Sequence, residues 1–330
     1  MGSVLVTGGA GYVGCHIVRT LRERGMRVLV LDNLSTGHRE SVGTEDFVEG
    51  DVSDTASVTR VLREDSVDLI YHMAACALVE ESVIDPARYY ERNISVGLSL
   101  VRAALDAGTG GFVFSSSAGV YGIPESVPIE ESAARRPVNP YGRSKAIFEG
   151  ILADCASAYG IAALSLRYFN AAGAWPDGSI GEDHSPETHL IPNVLRVALG
   201  LEPVFRIMGT DYPTPDGSCV RDFVHVCDLA EAHALAAEAL ERGKLKVFNL
   251  GSECGASVRE VVATAEKVTG KEIPAREEGR RAGDPPELVA SAGKAKKELG
   301  WEPKFPELGQ IIETAWKWHS SHPEGYKTSR

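Results

Sequence analysis

The segment VTGGAGYVG, residues 6–14, contains the glycine spacing GxGxxG. It follows a short apolar run, Val4–Thr7, and precedes a stretch in which Ile17, Val18 and Leu21 recur at helical spacing before Gly25. A strand, a tight turn and a helix are therefore predicted. Glycines in such a turn let the backbone approach a pyrophosphate, whose charge is met by the N–H groups at the start of the helix. The turn predicts a dinucleotide site, and a merely flexible turn is the alternative.

Further apolar runs alternate with helical segments along the first half of the chain. The predicted strands cover residues 27–31, 68–73, 111–115 and 163–167. This alternation is typical of α/β proteins with a doubly wound parallel sheet, the Rossmann architecture.

The composition changes after Asn170, where glycine, proline and polar residues dominate as far as Pro192. We therefore assign residues 1–170 to a dinucleotide-binding Rossmann domain and residues 171–330 mainly to a smaller α/β substrate-binding domain. Apolar runs at 220–226 and 247–250 indicate that the chain returns to the first sheet around residues 220–250.

Composition narrows the classes of partner. The chain has 330 residues and a formal net charge of −12, which disfavours nucleic acid and anionic membranes. It contains no apolar run of the roughly 18 residues that span a bilayer and begins on a strand without a basic leader. Six cysteines without a CxxC pair argue against a disulfide framework and a zinc cage. We expect a cytoplasmic protein that binds a small molecule and no metal.

Asp32 ends the second predicted strand, about 20 residues after the glycines. A carboxylate there can accept both ribose hydroxyls of NAD and would repel the 2′-phosphate of NADP. Capping of the next turn is the structural alternative, and the two roles are compatible. Asp51, within EGDV, is a weaker candidate for the adenine end because Gly-Asp is also common in turns.

Tyr141 and Lys145 lie four residues apart after Pro140, so they project from one face of a helix. A tyrosine with a pKa near 10 is only about 0.1% ionised at neutral pH, and lowering its pKa to about 7 takes about 4 kcal/mol. Lys145 and a positively charged nicotinamide ring are expected to supply the positive charge that lowers this pKa. Upstream, SSSAGVYG at 115–122 follows a predicted strand, where serine hydroxyls can bind a sugar hydroxyl. A plain polar turn is the alternative for the serines.

These motifs resemble the extended short-chain dehydrogenases, and specifically the UDP-glucose (UDP-galactose) 4-epimerase family, over essentially the whole chain. Beyond the glycine turn and the tyrosine–lysine pair, the resemblance is carried by HMAA at 72–75, LRYFN at 166–170, GTDYPTPDG at 209–217, VRD at 220–222 and RRAGD at 280–284.

The resemblance implies roles for individual residues. Tyr141 would be the base on the sugar 4′-OH, Ser117 its hydrogen-bonding partner, and Lys145 the residue that binds the nicotinamide ribose. NAD would be lined by Gly8, Gly11, Tyr12, Val13, Gly14, Asp32, Asn33, Asp51, Val52, Ala74, Ala75, Asn93, Ser115, Tyr168 and Phe169, together with Tyr141 and Lys145. The UDP-hexose would be held by Ser117, Tyr141, Asn170, His189, Arg221, Arg281, Asp284 and Leu288, with the two arginines on the diphosphate.

The implied reaction interconverts UDP-galactose and UDP-glucose at C4′ through a transient 4-keto sugar. The alternatives are a UDP-N-acetylglucosamine 4-epimerase, a 4,6-dehydratase or decarboxylase, and a non-catalytic NAD sensor. Ser116 and Ala118 flank the active-site serine where elimination would need a carboxylate, and a sensor is expected to have lost Tyr141, Lys145 or Ser117. The family also implies a homodimer packed through the helix of Tyr141 and its neighbour.

Two positions depart from the pattern of better-known members. Ala77 stands where some relatives have a lysine near the cofactor, which puts one secondary electrostatic contact in doubt. Leu288 stands at the position, four after Asp284, that influences acceptance of N-acetylated sugars, and we expect a partial restriction there.

Overall fold

A parallel seven-stranded sheet forms the centre of the molecule. The computed structural model describes residues 2–43, 46–281 and 283–326. The strands of this sheet are β1 (Ser3–Thr7), β2 (Val28–Asp32), β3 (Phe47–Glu49), β4 (Val67–His72), β5 (Gly111–Ser117), β6 (Ala162–Tyr168) and β10 (Leu245–Leu250). Their order is β10-β6-β5-β4-β1-β2-β3, and every neighbouring pair is parallel. The predicted doubly wound sheet is confirmed.

Helices cover both faces of this sheet because its strands are apolar on both sides. Successive residues of β1 face opposite layers: Val4 and Val6 belong to one core and Leu5 to the other. Ile17 and Leu229 pack into the first core, and Phe148 and Leu152 into the second. The helices up to the middle of the chain are α1 (Tyr12–Glu23), α2 (Thr55–Glu64), α3 (Val79–Ile84), α4 (Pro86–Tyr90), α5 (Val96–Ala107) and α6 (Pro140–Tyr159).

A second, smaller α/β region follows β6. One of its sheets contains β7 (Asn170–Ala172), β9 (Val220–His225), β11 (Gly255–Ser257) and β13 (Glu287–Leu288), and a two-stranded sheet pairs β8 (Phe205–Met208) with β12 (Ala275–Glu278). The later helices are α7 (Leu190–Ala198), α8 (Val226–Ala236), α9 (Val258–Thr269), α10 (Gly293–Leu299) and α11 (Leu308–Ser321). Its core includes Val194, Phe223, Val261 and Ile312, which are all fully or nearly fully buried.

The chain passes between the two regions more than once. β10 pairs with β6 at the edge of the large sheet, whereas β9 pairs with β7, β11 and β13 in the smaller one. Of the two runs expected to return to the first sheet, 247–250 therefore lies in that sheet and 220–226 does not. The single residue Phe169 separates β6 from β7 at the crossing. Among the described residues, no helix has the length and apolar character to cross a bilayer.

Candidate active site

The glycine turn after β1 forms a close-packed cradle at the start of α1. Gly8 has φ +68°, and a Cβ built on it would lie 2.5 Å from the backbone nitrogen of Ala74. A Cβ on Gly14 would lie 2.2 Å from the carbonyl oxygen of Gly8. The helix begins at Tyr12, after the N-cap Gly11, without a side-chain cap. The free N–H groups and the lack of side chains fit a dinucleotide pyrophosphate.

Asp32 lies at the carboxyl end of β2, beside this turn. Its Oδ2 accepts the N–H of Ala10 at 2.9 Å and its Oδ1 that of Leu34 at 2.8 Å. Burial raises the pKa of this carboxyl, although the backbone donors lower it in part. Each carboxylate oxygen can accept a further hydrogen bond, so the group can hold two ribose hydroxyls while it also fixes the turn.

Asn33 and Asp51 lie next to each other beyond Asp32. Asn33 donates to Asp51 Oδ2 at 2.9 Å, and Arg92 lies 3.1 Å from the same oxygen. Burial raises the pKa of Asp51, but hydrogen bonds from Ser53 and Asn33 and the charge of Arg92 outweigh it and lower the pKa to about 2. The carboxylate therefore stays ionised at neutral pH, and its role at the adenine end of NAD stays a prediction.

Lys145 is buried beneath the carboxyl end of β5. The helix α6 begins with Asn139 as N-cap, whose side chain accepts the N–H of Gly142 at 2.8 Å, and with Pro140 in its first turn. One turn later, Lys145 Nζ donates to the carbonyl oxygen of Ser115 at 2.8 Å and lies 5.8 Å from the centre of the Tyr141 ring. Burial lowers the pKa of Lys145 to about 7.

The pKa of Tyr141 is raised, not lowered, in the chain by itself. Burial raises it, and the hydrogen-bonding hydroxyl of Ser117 lowers it by less. The expected lowering by Lys145 is absent from the protein alone, since Nζ is drawn to the Ser115 carbonyl and its own positive charge is disfavoured by burial. The expected lowering of this pKa by Lys145 together with a bound nicotinamide ring stays a prediction. The hydroxyl of Ser117 is the hydrogen-bonding partner of Tyr141.

The three serines at the end of β5 have different surroundings. Ser115 shares a hydrogen bond with the hydroxyl of Tyr168 on the neighbouring strand β6. Ser116 is fully buried and donates to Glu149 Oε1 at 2.6 Å. Ser117 is only partly buried, and its Oγ accepts the N–H of Gly119 at 3.1 Å. Ser117 is thus the serine whose hydroxyl is presented together with Tyr141.

The remaining residues predicted to line NAD lie around the same strand ends or behind them. Asn93 is buried in a short π-helical turn, Glu91–Ser95, and its amide donates to the Cys76 carbonyl and to Ser144 Oγ, both at 3.0 Å. Ser144 in turn donates to the Tyr141 carbonyl at 2.7 Å. Ala75 and Ala77 are exposed, whereas Tyr12, Val13, Val52, Ala74 and Phe169 are partly or fully buried. Asn93 therefore also positions the start of α6.

Four of the predicted substrate residues are brought together by the smaller sheet. Arg221 Nη2 lies 2.6 Å from Asp284 Oδ1, and the side chain of Arg221 is only 13% exposed. Leu288 is the register partner of Arg221 in the β9–β13 pairing and packs against the apolar cluster of Ala118 and Phe169. Asn170 donates to the Asp222 carbonyl at 3.1 Å. A cation, a carboxylate, an amide and an apolar surface thus line the side facing the strand ends.

Arg281 and His189 are placed less directly. Arg281 is exposed. His189 precedes α7, and its Nδ1 lies 2.8 Å from Glu182 Oε1 and 2.9 Å from Glu187 Oε1. The imidazole is therefore committed to these carboxylates. The roles of both residues in binding UDP stay predictions.

Two residues that support the site escaped the sequence analysis. Glu149 is fully buried, where it accepts hydrogen bonds from Ser116, Ser165 and Arg167, and its pKa is lowered by the hydrogen bonds and charge of Arg167 against the effect of burial. Ser144 links Asn93 to α6. The spacing offered one signal, since Glu149 follows Lys145 by four residues and so continues the buried face of the helix.

Comparisons with known proteins place this site in a family. Residues 4–251 match the model of the NAD dependent epimerase/dehydratase family. The chain is 49% identical over 327 residues to a UDP-glucose 4-epimerase of Halalkalibacterium halodurans, covering 99% of this chain and 98% of that one. The crystal structure of UDP-glucose 4-epimerase from Brucella ovis in complex with NAD has a TM-score of 0.92 and 45% identity, with 96% and 98% of the two chains covered.

A further crystal structure is that of UDP-glucose 4-epimerase from Bifidobacterium longum in complex with NAD+ and UDP. It has a TM-score of 0.93 and 36% identity, and the match covers 98% of this chain and all of that one. The similarity therefore extends over the dinucleotide region and the smaller sheet alike. The chain belongs to the UDP-glucose 4-epimerase family, within the NAD dependent epimerase/dehydratase family.

Proposed function

We propose that this protein interconverts UDP-galactose and UDP-glucose by inverting C4′ of the hexose, using tightly bound NAD. The observation that carries the proposal is the convergence of Tyr141, Ser117 and Lys145 at the carboxyl end of β5, beside a glycine cradle fitted to a pyrophosphate. Relatives of nearly equal length and about half identical sequence are UDP-glucose 4-epimerases.

The cofactor is held by the first half of the chain. The glycine turn and the start of α1 bind the pyrophosphate, and Asp32 accepts the ribose hydroxyls of the adenosine. Lys145 is held against Ser115 at the nicotinamide end. When bound, NAD supplies a positively charged nicotinamide ring that can take up the hydrogen of C4′ and return it.

Tyr141 moves the proton of the 4′-hydroxyl. Its hydroxyl is buried beside Ser117, which can bind the same sugar oxygen and pass the proton between them. Because burial alone raises the pKa of Tyr141, the charge that makes it a base must come from the nicotinamide ring together with Lys145. Proton removal is thereby tied to the oxidised state of the cofactor.

The nucleotide half of the substrate is gripped at the other side of the crevice. Arg221 presents a guanidinium held by Asp284, which suits the diphosphate, and Asn170 lies at the crossing of the two regions. Arg281 and His189 complete the proposed set. A firm hold on UDP combined with an apolar wall at Leu288 leaves the hexose free to present either face of C4′.

Elimination chemistry is disfavoured by the state of the nearest carboxylate. Ser116 contacts Glu149, but this carboxylate is fully buried and bound by Arg167 in a paired geometry at 2.9 and 2.6 Å. A carboxylate so committed to a guanidinium is a poor general acid or base for the 5′ and 6′ positions. Epimerisation at C4′ needs no general acid or base at those positions.

The direct experiment is an assay of the purified protein with UDP-galactose and a coupled readout for UDP-glucose. We expect steady formation of UDP-glucose without added reductant, and UDP-galactose from UDP-glucose in the reverse assay. Conversion of UDP-glucose to a 4-keto-6-deoxy sugar would support the dehydratase alternative instead. NAD binding without turnover of any UDP-hexose would indicate a sensor.

We further propose that the protein works as a homodimer in the cytoplasm. Ile147 on α6 is 41% exposed in the single chain, on the helix that the family resemblance assigns to the dimer contact. All six cysteines are free thiols, which suits a reducing compartment. Light scattering after size exclusion tests the dimer, and Ile147→Glu is expected to shift it to a monomer.

A further inference from the structure

The segment GEDHSPETH, residues 181–189, places two histidines and two glutamates together outside the catalytic groups. It connects β7 to α7 and lies beside the start of α1, where the His184 ring meets the edge of the Tyr12 ring at 6.2 Å between centroids. The hydroxyl of Tyr12 also donates to the Gly173 carbonyl at 2.6 Å. The cluster of Glu182, His184, Glu187 and His189 therefore lies between the dinucleotide region and the smaller one.

Each of the four side chains contributes one potential ligand atom to the cluster. These atoms all lie within 4.8 Å of one another. His184 Nδ1 lies 3.2 Å from Glu182 Oε1 and 3.8 Å from Glu187 Oε2, and His189 Nδ1 lies 2.8 and 2.9 Å from oxygens of the same two carboxylates. Four ligands at roughly 2.0–2.2 Å from a tetrahedral ion stand about 3.4 Å apart, so the measured separations bracket that spacing.

The hydrogen bonding inside the cluster is incomplete. Glu182 is 3% exposed, yet within the part of the chain that the structure describes its Oε1 and the Nδ1 of His184 have no hydrogen-bond partner of acceptable geometry despite their proximity. A buried carboxylate oxygen and a buried imidazole nitrogen without aligned partners are costly for a native structure. His189 Nδ1 is hydrogen-bonded to Glu187 Oε1 at 2.9 Å, and a cation bound within the cluster would satisfy the two atoms that are left.

The carboxylate of Glu187 is also held in place by the backbone. Its Oε1 accepts the N–H groups of Thr188 and His189, both at 2.8 Å. Such support of a ligand by a second layer of hydrogen bonds is typical of metal sites. Two neutral imidazoles and two carboxylates neutralise a divalent ion, and this mixed nitrogen and oxygen set suits Zn²⁺.

We propose that Glu182, His184, Glu187 and His189 bind one Zn²⁺ ion in a closed, structural site. All four positions are filled by protein side chains, which leaves none for water or substrate, so the ion would take no part in the reaction at C4′. Its effect would be to fix the segment before α7 against α1. The proposed zinc site shares His189 with the residues proposed to bind UDP: zinc would take its Nδ1 and leave its Nε2 for the nucleotide.

The sequence analysis expected no metal because it considered only the cysteines. The spacing ExHxxExH at 182–189 was present but unremarkable without the fold. A competing arrangement is a pair of protonated histidines between the glutamates. Burial lowers the pKa of His184, but Glu182 and Glu187 outweigh it and raise the pKa to about 9 in the chain by itself. The experiment must therefore distinguish a bound Zn²⁺ ion from protonated His184 and His189.

The test measures metal content of the tag-free protein. The wild type is treated with EDTA, incubated with excess ZnCl₂, desalted and analysed by mass spectrometry for metals. We expect about one Zn²⁺ per chain and a rise in Tm of at least ~3 °C over the EDTA-treated protein. The variants His184→Ala and Glu187→Gln should each retain less than about a tenth of an ion and lose the Tm rise.

The matched control is Glu241→Gln, which changes the same residue type away from the cluster, where Glu241 pairs with Lys244, and should bind zinc as the wild type does. Should a ligand variant fail to fold, the wild type alone decides the question: loaded with Co²⁺ it should show the intense visible absorption of a tetrahedral site. Absence of stoichiometric Zn²⁺ from the wild type, or equal zinc in the ligand variants and the control, would overturn the proposal.

Discussion

The two halves of the active site are built on different principles. The cofactor half rests on consecutive residues, since the turn from Gly8 to Gly14 provides a surface of backbone N–H groups. The substrate half is assembled from distant segments: the pair of Arg221 and Asp284 joins residues 63 positions apart. It relies on charged side chains rather than on backbone. The first half is therefore defined by local geometry and the second by tertiary structure.

We propose that this difference lets the protein keep NAD bound while it releases the UDP-hexose. A backbone cradle too tight for a Cβ leaves little freedom to the dinucleotide, whereas a guanidinium and an apolar wall can hold UDP while the hexose turns. Changes confined to one half should consequently leave binding to the other half intact. The four predictions below test that separation.

Tyr141→Phe should have the largest effect, because Tyr141 lies where the halves meet. Removal of the hydroxyl oxygen proposed as the final acceptor of the 4′-proton should lower kcat by about 1,000-fold or more. Bound NAD and Tm should stay close to the wild type. Tyr159→Phe, an exposed tyrosine of the same helix, is the control. Residual activity within tenfold of the wild type would eliminate Tyr141 as the base.

Arg221→Ala should weaken the binding of the UDP-hexose and leave the binding of NAD unchanged. Loss of charge-assisted hydrogen bonds to the diphosphate, worth about 1.5–3 kcal/mol, should raise KM for UDP-galactose by roughly 10- to 100-fold. The amount of bound NAD should not change. Arg221→Lys keeps the positive charge but loses the forked geometry, so its KM for UDP-galactose should lie between those of the wild type and Arg221→Ala. A drop in bound NAD with an unaltered KM would reverse the assignment.

Asp32→Ala should weaken the binding of NAD and leave the binding of the UDP-hexose unchanged. It removes two acceptors for the ribose and a charge that repels a 2′-phosphate, so NAD affinity should fall by about tenfold and the preference over NADP should narrow. Titration of cofactor-stripped protein by calorimetry gives both affinities. Asp106→Ala at the exposed end of α5 is the control. Unchanged affinities for both cofactors would remove Asp32 from the site.

Leu288→Ser should have the smallest effect of the four substitutions. It tests the apolar wall of the substrate half. Squeezing an N-acetyl group against leucine is expected to cost about 1–3 kcal/mol, so the wild type should favour plain UDP-hexoses about tenfold in kcat/KM. The serine variant should reduce that preference, while Leu201→Ser, an exposed leucine, should not. Equal efficiencies in the wild type would show that the selective contact lies elsewhere.

The contrast between the halves also explains what the sequence could predict. Periodicity and the glycine turn were enough for β1, α1, β2 and the position of Asp32, because these elements depend on neighbours in the chain. Tyr141 and Lys145 were found through helical spacing. Arg221 and Asp284 were assigned to one binding set only through the family resemblance, and their ion pair was not predicted.

Other features needed the folded structure. Residues 220–226 read as a return to the first sheet, yet β9 is bound in the smaller sheet by β7, β11 and β13, which local patterns cannot reveal. The raised pKa of Tyr141 in the chain by itself was likewise not foreseen, since burial and the direction of the Lys145 ammonium are tertiary properties. The same holds for Glu149 and for the cluster of Glu182, His184, Glu187 and His189.

The central claim is inversion at C4′ with the hydrogen retained inside the site. The most direct test incubates the protein with UDP-galactose in ²H₂O and follows the hexose by proton NMR. We predict UDP-glucose at equilibrium with the H4′ signal at full intensity, because that hydrogen is carried by the cofactor and never by solvent-exchanging groups. Deuterium at C4′ or C5′, or no UDP-glucose at all, would contradict the account.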